Sequence, residues 1–85
     1  MTEQRHHLIA ALGQSLRAID DDYKEEMREL RALFEDAKRE AEKDEPDRTK
    51  LRALLTDAGE AVRTFATLDP AWQAVQRVAK MFGLQ

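Results

Sequence analysis

Apolar residues recur along the first half of the chain in steps of three and four, which is the spacing of one face of an α-helix. The stripe runs from Ile9 to Ala41 and keeps its phase except for one four-residue stutter near Tyr23. It predicts a single long helix over about residues 3–43, with Asp20–Asp22 as the point where a helix could instead stop and restart. The stripe positions expected in the core or at an interface between copies are Leu12, Leu16, Ile19, Tyr23, Met27, Leu30 and Phe34.

The two prolines mark the next boundaries, because proline fits the first turn of a helix and disfavours helix in the residue before it. Pro46 predicts a second helix over about residues 47–67, and Pro70 predicts a third over about residues 70–82 that ends at Gly83. Gly59, in the interior of the second helix, is interpreted as a point of close packing. The second helix adds to the expected core or interface Leu51, Leu55, Val62 and Phe65.

These lengths predict an all-α fold in one domain over residues 1–85. The first helix is about as long as the other two end to end, so we expect it to pack antiparallel against a two-helix arm, as a coiled-coil-like hairpin. The chain has no cysteine and only 85 residues, so neither disulfides nor thiolate metal sites can stabilise it. We therefore expect a homodimer in which two hairpins complete a bundle.

The middle of the chain is more acidic than the rest. The whole chain has 14 basic and 17 acidic residues, a net charge of −3, whereas residues 20–50 alone carry a net charge of −5. Residues 20–29, called here the acidic elbow, hold six carboxylates and two cations. The carboxylates expected to meet a protein partner are Asp20, Asp21, Asp22, Glu25, Glu26 and Glu29.

The third predicted helix is apolar over most of its circumference, which indicates burial on more than one side. Its apolar residues are expected either to fill the core of the hairpin or to anchor a protein partner, because aromatic residues and Met are enriched at interface cores. A third interpretation is insertion into a membrane surface, with Arg77 and Lys80 on the polar side. The residues concerned are Trp72, Val75, Val78 and Phe82.

The sequence offers few residues that could form a catalytic or metal-binding site. Ser15 is the only serine, and the adjacent pair His6 and His7 is too small a set for a metal site. We expect no catalytic residue, no metal, no cofactor and no enzymatic activity. Direct nucleic-acid binding is disfavoured because acidic side chains are interleaved with the basic ones and the net charge is negative.

The sequence therefore predicts a small, acidic, non-enzymatic protein-interaction module in the cytoplasm. We expect it to self-associate and to present the acidic elbow and the apolar third helix to an unidentified protein. A bacterial or phage inhibitor or adaptor would fit this size and charge, and it is kept as a hypothesis that rests on these two properties. The alternatives are a peripheral membrane-surface protein that binds through the third helix, and a dimeric regulator associated with nucleic acid.

Overall fold

The computed structural model describes residues 2–81 and Gly83, and within them it contains helices and turns but no β-strand. The four helices are α1 (Thr2–Asp21), α2 (Arg28–Glu42), α3 (Arg48–Val62) and α4 (Asp69–Met81), with single 3-10 turns at Glu25–Met27 and Ala66–Leu68. Helix α1 packs against α2 and α4, and α3 packs against α2. Contact between α3 and α4 is much sparser. The result is a four-sided bundle of 34 × 19 × 19 Å with one open side.

The prediction of one continuous helix over residues 3–43 is wrong, because the chain reverses direction between α1 and α2. Carboxylates at the C-terminus of α1 oppose the helix dipole, and Lys24 adopts an extended backbone with φ −128° and ψ 148°. Arg31 of α2 then donates two hydrogen bonds to Asp20 of α1, which holds the reversed segments together. The predicted alternative, a restart near Asp20–Asp22, is closer to the observed structure.

A single chain supplies all four helices of this bundle. The two halves of the predicted long helix pack on each other, so the core that was expected to need two hairpins is built within one molecule. Association between copies therefore stays a prediction, and any interface between two closed bundles must use surfaces outside this core.

The ends of the shorter helices follow local signals. Asp47 caps α3, its carboxylate accepting hydrogen bonds from the backbone N–H groups of Thr49 and Lys50 at 2.9 and 3.2 Å. Helix α3 ends at Val62 rather than near residue 67, because the chain must turn before α4 begins. Gly83 has φ +78°, the left-handed conformation that favours glycine after a helix, which agrees with its predicted role.

Apolar residues from all four helices and both 3-10 turns form one core. Most of the predicted stripe is in it, although Leu16 and Phe65 are only partly buried at its edge. Gly59 is a close-packing point, as predicted: a Cβ atom placed there would lie 2.9 Å from Cζ2 of Trp72. The buried apolar residues are Leu8, Ala11, Leu12, Ile19, Met27, Leu30, Phe34, Ala37, Ala41, Leu51, Leu55, Ala58, Val62, Leu68, Trp72, Val75 and Ala79.

A buried carboxylate holds the connection between α2 and α3. Glu40 is 3% exposed, and it accepts a hydrogen bond from the backbone N–H of Asp47 at 3.0 Å. The ammonium groups of Lys43 and Lys50 lie 3.0 and 3.5 Å from its other oxygen. The hydrogen bond from Asp47, supported by the two lysines, lowers the pKa of Glu40 to about 2 from an ordinary value of 4.5.

Replacing Glu40 with glutamine is expected to lower the melting temperature near neutral pH, because the amide cannot match the carboxylate as a partner for two ammonium groups. The folded-state pKa lies below the unfolded one, so the carboxylate stabilises the fold fully above about pH 4.5 and progressively less as the pH falls toward about 2. The difference in melting temperature between wild type and Glu40→Gln should therefore shrink with falling pH. Glu42→Gln, which removes an exposed ion pair with Lys38, is the control and should show a smaller difference throughout.

Candidate functional site

The acidic elbow forms the connection between α1 and α2 at one end of the bundle, and all six of its carboxylate residues are exposed. Glu25 pairs with Arg28 at 3.0 Å, and Asp20 pairs with Arg31. Within the described residues, the other four form no ion pair. These unpaired carboxylates are Asp21, Asp22, Glu26 and Glu29.

The base of the elbow is fixed by Arg31. Its guanidinium donates to Asp20 Oδ1 and Oδ2 at 2.8 and 3.3 Å and to Glu35 Oε1 at 2.8 Å. The hydrogen bond from Arg31 lowers the pKa of Asp20, and the two carboxylates raise the pKa of Arg31. Asp20 is therefore a structural clamp between α1 and α2, whereas the unpaired carboxylates beyond it remain open to another molecule.

Tyr23 lies in the elbow, outside the monomer core to which its stripe position pointed. Its side chain is 44% exposed because the stutter falls in the turn between α1 and α2. Among the described residues, only Tyr23 and Met81 are large apolar side chains with this much exposure. The other half of the prediction, that Tyr23 meets a second copy, stays a prediction.

The apolar residues of α4 face the core. Trp72 is 8% exposed and Val75 is fully buried, while Val78 is partly buried. The ring of Trp72 lies 5.9 Å from that of Phe34, measured between centroids and tilted by 56°. The expectation that α4 fills the core therefore describes Trp72 and Val75, which are not available as surface anchors. Phe82 lies outside the described residues.

A groove runs along the open side of the bundle between α3 and α4, with a volume of about 390 Å³. Its apolar lining is the edge of Trp72 with Leu55 and Val62, and Trp72 of α4 lies against Gly59 of α3 within it. Its rim holds both signs of charge. The rim residues are Arg52, Arg63, Glu60 and Asp69.

The hydrophobic and charge pattern of the sequence does not predict this groove or the position of its cations. Arg52 lies in α3 and Arg63 directly follows its last residue, still with helical backbone angles. The two are eleven residues apart, close to three helical turns, so both lie on the side of the groove. The eleven-residue spacing can be read from the sequence, but the position of α4 beside α3 cannot. A shallower depression continues along α4 and is lined by Gln73, Gln76, Arg77 and Lys80.

The described residues offer little else from which a catalytic or metal-binding site could be built. Ser15 is 2% exposed inside the bundle, and no group of three or more potential metal ligands occurs among them. None of the helices in the described part of the chain is both long and apolar enough to cross a membrane. Comparisons with protein-family models, curated proteins and solved structures give no match.

Proposed function

We propose that this chain is a non-enzymatic protein-interaction module that self-associates and uses the acidic elbow to bind a basic surface on another protein. The observation that carries the proposal is the set of exposed, unpaired carboxylates at the elbow. Asp21 ends α1 and Asp22 follows it, where negative charge opposes the helix dipole by about 0.3–1 kcal/mol per residue. Acidic residues in a position that costs stability are better explained by binding than by folding.

The chemistry of the elbow fits a cationic protein partner. Six carboxylates against two cations give residues 20–29 a net charge of −4, which speeds encounter with an oppositely charged surface and weakens with added salt. Exposed Tyr23 supplies an aromatic contact in the midst of these charges. Aromatic side chains at the centre of a charged rim are typical of interface hot spots. A bacterial or phage inhibitor or adaptor that covers a nucleic-acid-binding surface of its target fits this combination.

Helix α4 plays a different part in this proposal from the one predicted for it. Burial of Trp72 and Val75 places its apolar side in the core, so the exposed side of α4 is polar and carries Arg77 and Lys80. The same burial takes Trp72 and Val75 out of the apolar face on which the membrane-surface alternative depended.

The test is capture of a partner from a lysate of the source organism on the immobilised chain. Asp21→Lys/Asp22→Lys reverses charge at the elbow, and Asp44→Lys/Glu45→Lys makes the same change after the C-terminus of α2, at the opposite end of the bundle. Wild type and the second variant should retain one dominant basic protein at low salt, and the elbow variant should lose it. Equal retention by all three proteins would refute a role for the elbow.

A further inference from the structure

The apolar stripe of α1 continues into α2 without a change of phase across the acidic elbow. Ile19, the last buried residue of α1, and Leu30, the first buried residue of α2, are eleven residues apart. Eleven residues make three turns of a straight α-helix, so a continuous helix would keep both residues on one face. Tyr23 belongs to the same stripe, yet its side chain is 44% exposed because the chain turns there. The single-chain bundle therefore leaves one member of the stripe unburied.

The break between α1 and α2 is short and contains neither glycine nor proline. Between the two helices, only Asp22, Tyr23 and Lys24 lie outside helical or 3-10 structure, and residues 14–45 contain no glycine or proline. Negative charge at the end of α1 opposes the dipole of that helix, and this cost disappears when the helix continues through the elbow. Short connections under such strain favour the exchange of an element between copies of a chain.

Helices α1 and α2 pack antiparallel in a register that is symmetric about the elbow. Asp20 accepts hydrogen bonds from Arg31, and a Cβ atom placed on Gly13 would lie 3.9 Å from Cε of Lys38. The residue numbers in both pairs add up to 51, so the midpoint of each pair lies between residues 25 and 26. Two copies whose helices continue through the elbow can form these same pairs with each other, related by a two-fold axis at that midpoint.

We propose that two copies of this chain exchange α1 through the elbow and so form a two-fold dimer. In the dimer, residues 22–27 join α1 to α2 as one helix, and α1 of each copy packs against α2 and α4 of the other. These are the contacts that α1 already makes in the single chain, so the dimer closes without a second complementary surface. The inference rests on the self-association in the proposed function and names its interface.

The new contact in the dimer is made by the two elbows at its centre. Tyr23 lies within three residues of the midpoint, so the helix of the other copy covers its exposed ring. The two elbows together carry twice the net charge of −4 of a single one, and in helical form Asp22 and Glu26 are four residues apart and repel each other. Added salt screens this repulsion, so dimerisation should strengthen with salt, whereas capture of a basic partner should weaken.

Alanine and glycine at positions 22 and 24 test whether the elbow becomes helical, and each double variant is the control for the other. Asp22→Ala/Lys24→Ala and Asp22→Gly/Lys24→Gly remove the same two exposed charges and differ in helix propensity. Glycine disfavours helix about fivefold relative to alanine at each position, and a dimer holds four such positions. The dissociation constant of the glycine dimer should therefore be about a hundredfold to a thousandfold higher.

The measurement is light scattering on a sizing column over a range of concentrations, at low and at high salt. Each protein is first refolded from urea at high concentration, because α1 must leave the core before it can exchange. The mass should be 9.8 kDa for a single chain and twice that value for the dimer. Circular dichroism establishes that both variants are folded.

Distances between spin labels distinguish the exchange from docking of two closed bundles. The chain has no cysteine, so Gln14→Cys and Glu29→Cys, both at exposed positions, can each carry one label per copy. In the exchanged dimer, the two labels move apart along the helices by about 3 Å for every residue between the label and the midpoint. This axial separation should be about 10 Å at position 29 and about 35 Å at position 14.

Each contrary result has a distinct meaning. If wild type and the alanine variant both keep the mass of one chain at every concentration and salt strength, self-association and the exchange are overturned together, and partner capture by the elbow keeps its own test. A doubled mass with equal dissociation constants for the alanine and glycine variants overturns the exchange and leaves self-association standing. Label separations that do not grow with distance from the midpoint also overturn the exchange.

Discussion

Replacing Phe34 with alanine is expected to lower the free energy of unfolding by about 3–5 kcal/mol. Phe34 is 1% exposed, and its ring packs against that of Trp72 across the core between α2 and α4. A domain of 85 residues has a total stability of about 4–13 kcal/mol, so this loss is a large fraction of what holds the fold together. The truncation leaves a cavity that Trp72, fixed between α3 and Phe34, cannot fill.

Urea unfolding followed by circular dichroism measures this loss as a fall in the transition midpoint. Met81→Ala is the matched control, because Met81 is a large apolar residue that is 55% exposed, and it should change the stability by less than about 0.5 kcal/mol. A Phe34→Ala protein that is no less stable than Met81→Ala would contradict the placement of Phe34 at the centre of the core.

Replacing Gly59 with alanine is expected to destabilise the protein, although alanine is the better helix former by about 1 kcal/mol. The added Cβ would lie 2.9 Å from Cζ2 of Trp72, closer than two carbon atoms can approach, so the indole must move. Overpacking of this kind costs about 1–3 kcal/mol, and with the gain of about 1 kcal/mol in helix propensity subtracted, the net loss is up to about 2 kcal/mol.

Gly13 provides the control for this prediction within the same fold. A Cβ there would lie 3.9 Å from Cε of Lys38, which is an ordinary contact with a flexible side chain. Gly13→Ala should therefore stabilise the protein by about 1 kcal/mol, opposite in sign to Gly59→Ala. Thermal unfolding of the two variants beside wild type measures both signs, and a stabilised Gly59→Ala protein would show that Trp72 does not rest on α3.

The hydrophobic pattern of the sequence predicted which segments are helical better than it predicted how the helices pack. Asp47 and Gly83 mark boundaries that depend on one or two neighbouring residues, and both are where local signals place them. The reversal between α1 and α2 escaped the pattern, because Ile19 and Met27 point into the same core whether the chain continues or turns back. Periodicity records which residues are buried, but not which helix buries them.

In the candidate site, too, some features follow from the local sequence, whereas others depend on how the helices pack. Exposure of the elbow carboxylates could be anticipated from the density of charge alone. The groove could not, since it depends on α4 lying beside α3 with Trp72 on Gly59, a contact between residues in different helices. For the same reason Arg52 and Arg63 looked like ordinary surface cations until the neighbouring helix was in place.

Because successive helices run in alternating directions, the bundle has two distinct ends. The end formed by the acidic elbow is called here the head, and the opposite end is called the foot. Thr2 begins α1 at the end opposite the elbow, and Gly83, just beyond α4, lies close to Arg48 at the start of α3 on that same end. A tether joined before α1 or after α4 would therefore attach at the foot, and it would leave Tyr23 and the carboxylates of the acidic elbow exposed at the head. Attached to a surface or to a larger protein through the foot, every copy would display its charged head in the same orientation.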